Sequence, residues 1–225
     1  MEVRDRESAE LIRSQVSQRR LPRGALRAAL LRVPPAARDA WLDLVFEVDG
    51  LPDDGPELPR GCVPYLPCAV EVLLRAVQAA QIDADDVFVD VGSGTGRAAA
   101  AVHLLTGAEA IGLEVQPALV ESARALAARL NVERVTTILG DAAELTGSMR
   151  AGSVFFFYCP FSGERLARVF AELEAIARQR PIRVCAVDLP LPQVPWLELA
   201  APPSGDLAVY RSVTPASPGT ARSRR

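Results

Sequence analysis

The chain has 225 residues, of which 49% are hydrophobic, 24% charged and 5% aromatic. This composition is typical of globular proteins and excludes collagen, other fibrous proteins and a chain that is disordered over most of its length. The formal net charge is −3, with 25 cationic and 28 acidic residues. A protein that mainly coats nucleic acid would have a basic excess, so this balance disfavours nucleic acid as a partner without excluding it.

Cysteine usage and the first residues predict the compartment. The chain has four cysteines without a C-x-x-C pair and a single histidine, so it lacks the close ligand pairs of a structural zinc site, and we predict no metal. The polar N-terminal residues do not form a signal peptide, and no run approaches the roughly 20 apolar residues of a membrane span. We therefore expect a cytoplasmic protein with no membrane partner.

Residues 1–59 are predicted to be a helical N-terminal extension and a linker. Seven arginines and no acidic residue lie between positions 11 and 38, interleaved with leucines at helical spacing and interrupted near Pro22 and Pro34. Acidic residues dominate from 39 to 57. We expect the arginines to form a solvated face that these acids neutralise; the alternative is that they bind an acidic partner.

Residues 60–214 are predicted to form an α/β domain, because apolar runs rich in β-formers alternate with helical patterns. The strands are expected at 87–91, 110–114, 135–139, 153–158 and 182–187, with a closing hairpin of weaker strands at 197–201 and 207–212. The helices are expected at 68–80, 95–105, 117–130 and 162–179. The tail at 215–225, rich in Ser, Pro and Arg, is predicted to be disordered.

A glycine-rich loop follows the first strand of this domain, in the segment VFVDVGSGTGR, and precedes a helix. Glycines at alternate positions allow a sharp turn and a close approach to a ligand. Asp90, Glu114 and Asp141 end or follow three consecutive strands, so all three are expected at the edge where open α/β sheets bind ligands. The alternative for each acid alone is a helix cap or an exposed turn residue.

The charge of these acids indicates the ligand. A dinucleotide carries a negative pyrophosphate and favours the spacing G-x-G-x-x-G, whereas the glycines here fall at 92, 94 and 96 next to Asp90. S-adenosyl-L-methionine carries a sulfonium and an ammonium, and acidic side chains stabilise both cations. A nicotinamide oxidoreductase is disfavoured further because the chain has no lysine for a Tyr-x-x-x-Lys motif.

The strings VFVDVGSGTGR, IGLEVQP and GDA resemble the nucleotide-binding motifs of class I S-adenosylmethionine-dependent methyltransferases over roughly residues 60–190. The resemblance implies a Rossmann-like, doubly wound sheet of seven strands in the order 3-2-1-4-5-7-6, with strand seven antiparallel. It also implies contacts to the methionine portion from Asp90, Gly92, Ser93, Gly94, Thr95 and Gly96, to the ribose from Glu114, and to the adenine from Val115, Asp141 and Ala142.

The segment after the fourth strand reads Tyr158-Cys159-Pro160-Phe161. Amino-methylating members of the family have Asn or Asp here, followed by two prolines and an aromatic residue. Because Tyr158 and Cys159 depart from that pattern, transfer to an adenine or glutamine amino group is put in doubt. We interpret Tyr158 as the candidate catalytic residue that lines the methyl-transfer pocket; the alternative is that it packs against the next helix.

Residues 61–67, which precede the helix at 68–80, are loosely similar to a loop that covers the cofactor in non-SET histone lysine methyltransferases. This likeness suggests that Tyr65 lies over the methionine end, against the alternative of a purely structural connector. We therefore predict an S-adenosylmethionine-dependent methyltransferase, with a small molecule as the first choice of acceptor. A protein lysine methyltransferase and a non-catalytic cofactor-binding protein are the alternatives.

Overall fold

The computed structural model describes residues 3–48, 50, 52, 58–59 and 61–213. The predicted tail at 215–225 lies outside the described residues, as does most of the predicted linker at 49–59. None of the helices in the described part of the chain has the length and apolar character that crossing a bilayer requires. The expected cytoplasmic location stays a prediction.

A seven-stranded sheet forms the centre of the fold, with the strand order β3-β2-β1-β4-β5-β7-β6. Strands β1 to β5 pair in parallel, and β7 pairs antiparallel with both β5 and β6. This topology confirms the predicted sheet and its antiparallel seventh strand. The strands are β1 (Val87–Val91), β2 (Glu109–Glu114), β3 (Val135–Leu139), β4 (Val154–Tyr158), β5 (Arg183–Val187), β6 (Leu197–Leu199) and β7 (Leu207–Ser212).

Helices cover both faces of this sheet, because the central strands β1, β4 and β5 are mostly apolar and are buried over all but one terminal residue each. The buried residues divide into two clusters on opposite faces, and neighbouring residues of β4 belong to different clusters. The helices are α1 (Val3–Ser17), α2 (Ala25–Arg32), α3 (Arg38–Phe46), α4 (Val70–Ala79), α5 (Arg97–Thr106), α6 (Pro117–Leu130), α7 (Ala142–Leu145) and α8 (Gly163–Ala177).

The N-terminal helices α1, α2 and α3 pack against the domain and share the buried cluster that contains α4 and α5. Trp41 of α3 is fully buried, and its indole N–H donates to the Asp5 carbonyl and the Ser8 hydroxyl of α1 at 3.0 and 2.9 Å. These bonds satisfy the one polar atom of a large apolar side chain. The extension is therefore part of the hydrophobic core.

The ion pairs of this region differ from the predicted neutralisation of arginines by the acids that follow them. Among the described residues, one such pair joins the two zones, Arg13 to Glu47 at 2.9 Å. Asp39 and Asp43 instead contact Arg97, the first residue of α5. The acids of α3 therefore form ion pairs with the first residue of the helix that follows the glycine loop.

Phe155 of β4 is fully buried, which makes it a direct test of the core. Its truncation to alanine removes the ring and leaves a cavity between the sheet and α8, so we expect Phe155→Ala to lower the free energy of unfolding by about 3 to 5 kcal/mol. Leu199→Ala, at a side chain that is 49% exposed, is the control and should change it by less than about 0.5 kcal/mol. Urea denaturation measures both; equal losses would contradict this packing.

Candidate active site

The glycine-rich loop connects β1 to α5 at the carboxyl edge of the sheet. The backbone N–H groups of Gly92 and Ser93 both donate to the Leu113 carbonyl of β2, at 2.9 and 3.0 Å. Gly96 caps α5 with a φ of 73°. The chain therefore stays in a tight turn up to residue 96, and α5 begins two residues later than the predicted start at 95.

Two glycines of this loop lie against side chains from other parts of the chain. Gly92 has a φ of 82°, and a Cβ at this position would lie 2.5 Å from the Cβ of Pro160. Gly94 has a φ of 53°, and a Cβ there would overlap the ring of Tyr65. Both positions therefore require glycine for the backbone conformation and for the close approach of a neighbour.

Tyr65 lies directly over the glycine loop. Its ring contacts Gly94, and its hydroxyl is 2.7 Å from the Thr95 hydroxyl. Burial raises the pKa of Tyr65 above its usual value, so the phenol is protonated at neutral pH. This placement agrees with the cover that the sequence suggested for Tyr65.

Asp90 of β1 is the most unusual polar group of the site. Its side chain is 3% exposed, and its Oδ2 atom is buried without a hydrogen-bond partner; the nearby Ser93 hydroxyl is likewise buried and unpartnered. Burial, with the negative charge of Glu114 added, raises the pKa of Asp90 to about 7. A buried carboxylate without a partner is costly, and such groups are typical of sites that receive a ligand.

Glu114, at the end of β2, is folded back onto the backbone. Its two carboxylate oxygens accept hydrogen bonds from the N–H groups of Gly94, Val115 and Gln116, each at 2.8 Å. A carboxylate has about four acceptor positions, so these bonds leave roughly one for a ligand. Glu114 therefore fixes the glycine loop to β2 and still presents acceptor capacity to the cavity.

Asp141 directly precedes α7 and is its N-cap, because its carboxylate accepts a hydrogen bond from the backbone N–H of Ala143 at 2.9 Å. Its other oxygen pairs with Arg165 of α8. Partial burial alone would raise the pKa of Asp141, but the bonds from Arg165 and Ala143 outweigh this and lower it. Asp141 is therefore ionised at neutral pH and held in place by two partners.

Residues 61–67, here called the covering segment, pass over the cavity and pair with the segment after β4. Val63 N–H donates to the Pro160 carbonyl at 3.0 Å, and Ser162 N–H donates to the Gly61 carbonyl at 3.2 Å. Between these two hydrogen bonds, Cys62 and Phe161 form an isolated antiparallel β-bridge. The pairing closes one side of the cavity with backbone from two parts of the chain.

Arg97 is a residue of this region that the sequence analysis did not single out. It is 5% exposed, and its guanidinium donates to Asp43 at 2.7 Å, to Asp39 at 3.1 Å and to the Cys68 carbonyl at 2.7 Å. Burial alone would lower the pKa of Arg97, but the two carboxylates raise it. A cation in the first turn of a helix opposes the helix dipole, and this was the available signal that Arg97 needs acidic partners.

The far side of the cavity lies at the carboxyl ends of β4 and β5. Tyr158 is partly buried there, and the next residue, Cys159, has a φ of 44°. Burial raises the pKa of Tyr158, and the nearby Cys68, Asp206 and Asp188 raise it further. Tyr158 is therefore a protonated hydrogen-bond donor at neutral pH, not a phenolate base.

These elements enclose a cavity of about 290 Å³, close to the lower end of small-molecule sites, roughly 300 to 1,000 Å³. Nine of the twelve predicted site residues line it, namely Tyr65, Asp90, Gly92, Ser93, Glu114, Val115, Asp141, Ala142 and Tyr158. Gly94 lies beneath Tyr65, Thr95 faces a smaller neighbouring cavity, and Gly96 packs on Ala123. The lining residues that the sequence analysis missed include Arg97, Arg165 and Asp188.

A comparison with protein families identifies residues 82–157 as a match to the model of a methyltransferase domain. This segment contains β1 to β4 and therefore the glycine loop and all three acids. Together with the sheet order, this match confirms the predicted resemblance to the class I methyltransferase fold; the match covers 76 of the 225 residues. No curated protein sequence matches the chain.

Solved structures share the fold at low sequence identity. The Escherichia coli protein yhhF, which carries a provisional methyltransferase description, is 22% identical, with a TM-score of 0.52 over 72% of this chain and 91% of that one. An RNA methyltransferase from Salinibacter ruber, in complex with S-adenosyl-L-homocysteine, is 23% identical, with a TM-score of 0.46 over 68% of this chain and 97% of that one. At these identities, the likeness concerns the fold alone.

The contact between Gly94 and Tyr65 predicts a non-additive pair of substitutions. Gly94→Ala should lower the free energy of unfolding by more than the roughly 1 to 2 kcal/mol of a left-handed alanine, because the added methyl group must displace the Tyr65 ring. In a Tyr65→Ala background, Gly94→Ala should cost only the free energy of placing an alanine in the left-handed backbone conformation. Denaturant unfolding of the four proteins of this double-mutant cycle measures the difference.

Gly24→Ala is the matched control for this cycle. Gly24 also has a positive φ, 77°, but no atom lies within 4 Å of the position that its Cβ would take. Gly24→Ala therefore measures only the cost of a left-handed alanine backbone, without a steric clash. If Gly94→Ala costs no more than Gly24→Ala, Tyr65 does not lie on the loop as described.

Proposed function

We propose that this chain is an S-adenosyl-L-methionine-dependent methyltransferase whose cofactor occupies the cavity above β1 and β2. The observation that carries the proposal is the buried, unpartnered oxygen of Asp90 beside the glycine loop. An ammonium group at this position would supply the missing partner and stabilise the ionised carboxylate. The methionine portion of the cofactor carries such a group.

The electrostatics of the cavity favour this ligand over a dinucleotide. Asp90 and Glu114 are both acidic, and the cations that line the cavity among the described residues, Arg97 and Arg165, are already paired with carboxylates. A pyrophosphate next to Asp90 would add two further negative charges to a pair of carboxylates that already repel one another. A cationic ligand relieves that repulsion.

Glu114 is proposed to accept the ribose hydroxyl groups. Its remaining acceptor position accommodates one hydroxyl, because three backbone N–H groups take the others. Binding of the second hydroxyl would displace one of these donors, and the Gly94 N–H is the candidate because Gly94 belongs to the loop rather than to the turn after β2. The ribose and the glycine loop are then coupled through one side chain.

The adenine is proposed to lie between Val115 and the start of α7. Ala142 is buried there, and Asp141 has further lone pairs to accept the amino group while Arg165 holds its carboxylate. Arg165 would act here as a positioning residue. Its planar guanidinium also lines the same part of the cavity, and such groups pack favourably on aromatic rings.

Bound S-adenosylmethionine supplies a methyl group on a cationic sulfur, and this chain has to align the acceptor with it and exclude water. The covering segment and Pro160 close one side of the cavity, and Tyr65 lies over the glycine loop. Tyr158 is proposed to face the acceptor and to donate a hydrogen bond to it. The acceptor is proposed to be a small molecule, with a protein lysine side chain as the alternative.

Substitution of the two acids tests the assignment of the cofactor site. Asp90→Asn and Glu114→Gln should each weaken the binding of S-adenosylmethionine and S-adenosylhomocysteine by about 1.5 to 3 kcal/mol, or roughly tenfold to 150-fold, because each loses charge-assisted hydrogen bonds. Isothermal titration calorimetry measures the dissociation constants, and thermal unfolding checks that both variants are folded.

Asp85→Asn is the matched control for this comparison. Asp85 is an exposed carboxylate just before β1, at the opposite edge of the sheet, and its removal should leave the affinity unchanged. Absence of binding by the unaltered protein would refute the proposed cofactor. Binding without methyl transfer to any acceptor would favour a non-catalytic cofactor-binding protein.

The raised pKa of Asp90 predicts a pH dependence with a defined sign. Its pKa is about 7 in the folded protein and near 4 when unfolded, so the ligand-free protein loses stability as pH rises from about 4 to about 7, and the loss levels off above 7, where the group is ionised in both states. Cofactor binding requires the ionised form, so affinity should rise from pH 5.5 to 7.5 and level off until the ligand ammonium deprotonates, at roughly pH 8.

Calorimetry in buffers of different ionisation enthalpy should therefore detect proton release on binding below pH 7. Asp90→Asn provides the control, because it cannot ionise, and its affinity should be lower and flat over the same pH range. A pH-independent affinity of the unaltered protein would show that Asp90 does not contact the ligand ammonium.

A further inference from the structure

Asp188 is a carboxylate of the cavity that the proposed cofactor contacts do not use. It follows β5 directly, its side chain is exposed, and it lines the cavity together with Tyr158. Within the described residues, no ion pair involves Asp188, in contrast to Asp141, which is bound by Arg165. This side of the cavity therefore carries a negative charge that the protein itself does not compensate.

The strand register places Asp188 next to the candidate catalytic residue. Tyr158 is paired with Val187 across β4 and β5, so the residue after Val187 lies beside the end of β4. The backbone N–H of Asp188 donates to the Asp206 carbonyl at 3.0 Å, which anchors the turn. The charges of Asp188 and Asp206 both contribute to the raised pKa of Tyr158, which is consistent with their proximity.

The other charged residues around the cavity do not offset the negative charge of Asp188. Arg97 is bound by Asp39 and Asp43, and Asp206 is paired with Arg75. Asp188 therefore has no cationic partner among the described residues, and Tyr158 beside it offers a neutral hydroxyl group. An anionic acceptor would be repelled at this position, whereas a cationic acceptor would gain an ion pair and a hydrogen-bonding partner.

The mouth of the cavity is apolar although it faces water. Val63 and Leu66 of the covering segment line the cavity and are 47% and 62% exposed. Large apolar side chains with this exposure are suited to contact an apolar part of a ligand. The cavity therefore combines exposed apolar side chains of the covering segment with one carboxylate, Asp188, that has no ion-pair partner among the described residues.

We propose that the acceptor is an alkyl amine that enters as an ammonium ion, with its nitrogen held by Asp188 beside Tyr158 and its apolar chain against Val63 and Leu66. The proposal rests on the proposed methyltransferase function and specifies the substrate class of the same site. A free amine and a lysine side chain share this chemistry, and the test below separates them.

The ammonium first releases one proton to solvent, which reaches the exposed Asp188, and the amine lone pair becomes free. This lone pair forms the new nitrogen–carbon bond with the methyl group, while the electron pair of the breaking carbon–sulfur bond stays on sulfur and neutralises it. The product is a methylated ammonium ion that again pairs with Asp188.

The test compares acceptors of equal size. Hexylamine, 1-hexanol and hexanoate are each incubated with the full chain and methyl-labelled S-adenosylmethionine, and products are identified by mass spectrometry. We expect methylation of the hexylamine nitrogen at a rate at least tenfold above that of the other two. A peptide with one lysine is compared with its norleucine counterpart; a peptide faster than hexylamine indicates a protein substrate, and the reverse a small amine.

Asp188→Asn separates the charge of the side chain from its position. Asn tolerates the φ of 47° at this residue, so the variant keeps the backbone. Calorimetry on protein saturated with S-adenosylhomocysteine should show hexylamine binding at least tenfold weaker in Asp188→Asn, with the S-adenosylhomocysteine affinity within twofold of the original. Asp85→Asn, which lies at the opposite edge of the sheet, should change neither affinity.

The outcomes distinguish this proposal from the one on which it rests. If S-adenosylhomocysteine does not bind at all, the cofactor assignment fails. If it binds, but hexylamine does not, or hexanol or hexanoate is methylated as fast, or Asp188→Asn equals the unaltered protein, the amine proposal is overturned while the cofactor site stands.

Discussion

The site depends on a carboxyl group that the folded chain leaves without a partner. Asp90 lies at the end of a strand that is buried on both faces, and its Oδ2 atom has no donor within reach. Glu114 adds a second negative charge nearby, and it is tolerated because three backbone amides neutralise much of it. The two acids therefore differ: the backbone amides satisfy Glu114, which shapes the loop, whereas one oxygen of Asp90 stays buried without a partner.

The positions of the strands could be predicted from the sequence because the central strands are continuous apolar runs between turn residues. The strands predicted at 87–91, 135–139 and 207–212 and the helix predicted at 117–130 agree with the observed bounds, and the other strands and helices differ by one or two residues at their ends. Helix α5 begins at 97 instead of 95, because the positive φ of Gly94 and Gly96 keeps the loop out of helical geometry. End positions of this kind depend on contacts with distant residues.

The location of the site could also be predicted, because parallel strands bring their carboxyl ends to one edge and the acids follow those strands. The partners of those acids could not be predicted in the same way. Arg165 is 24 positions from Asp141, and Arg97 is 54 positions from Asp43. Asp188 belongs to none of the sequence motifs, and it became a candidate site residue only when the register of β4 and β5 placed it beside Tyr158. Local spacing contains no information on such pairs.

The buried Arg97 explains why the α/β domain and the helical extension form one core. A cation in the first turn of α5 is unfavourable by itself, and burial increases this cost. Asp39 and Asp43 of α3 compensate it, and Asp39 also accepts the backbone N–H of Val70 at the start of α4. Arg97 in turn donates to the Cys68 carbonyl just beyond the covering segment. One guanidinium thus joins the glycine loop, the extension and the segment that carries Tyr65, so the geometry of the candidate site depends on α3 as well as on the sheet.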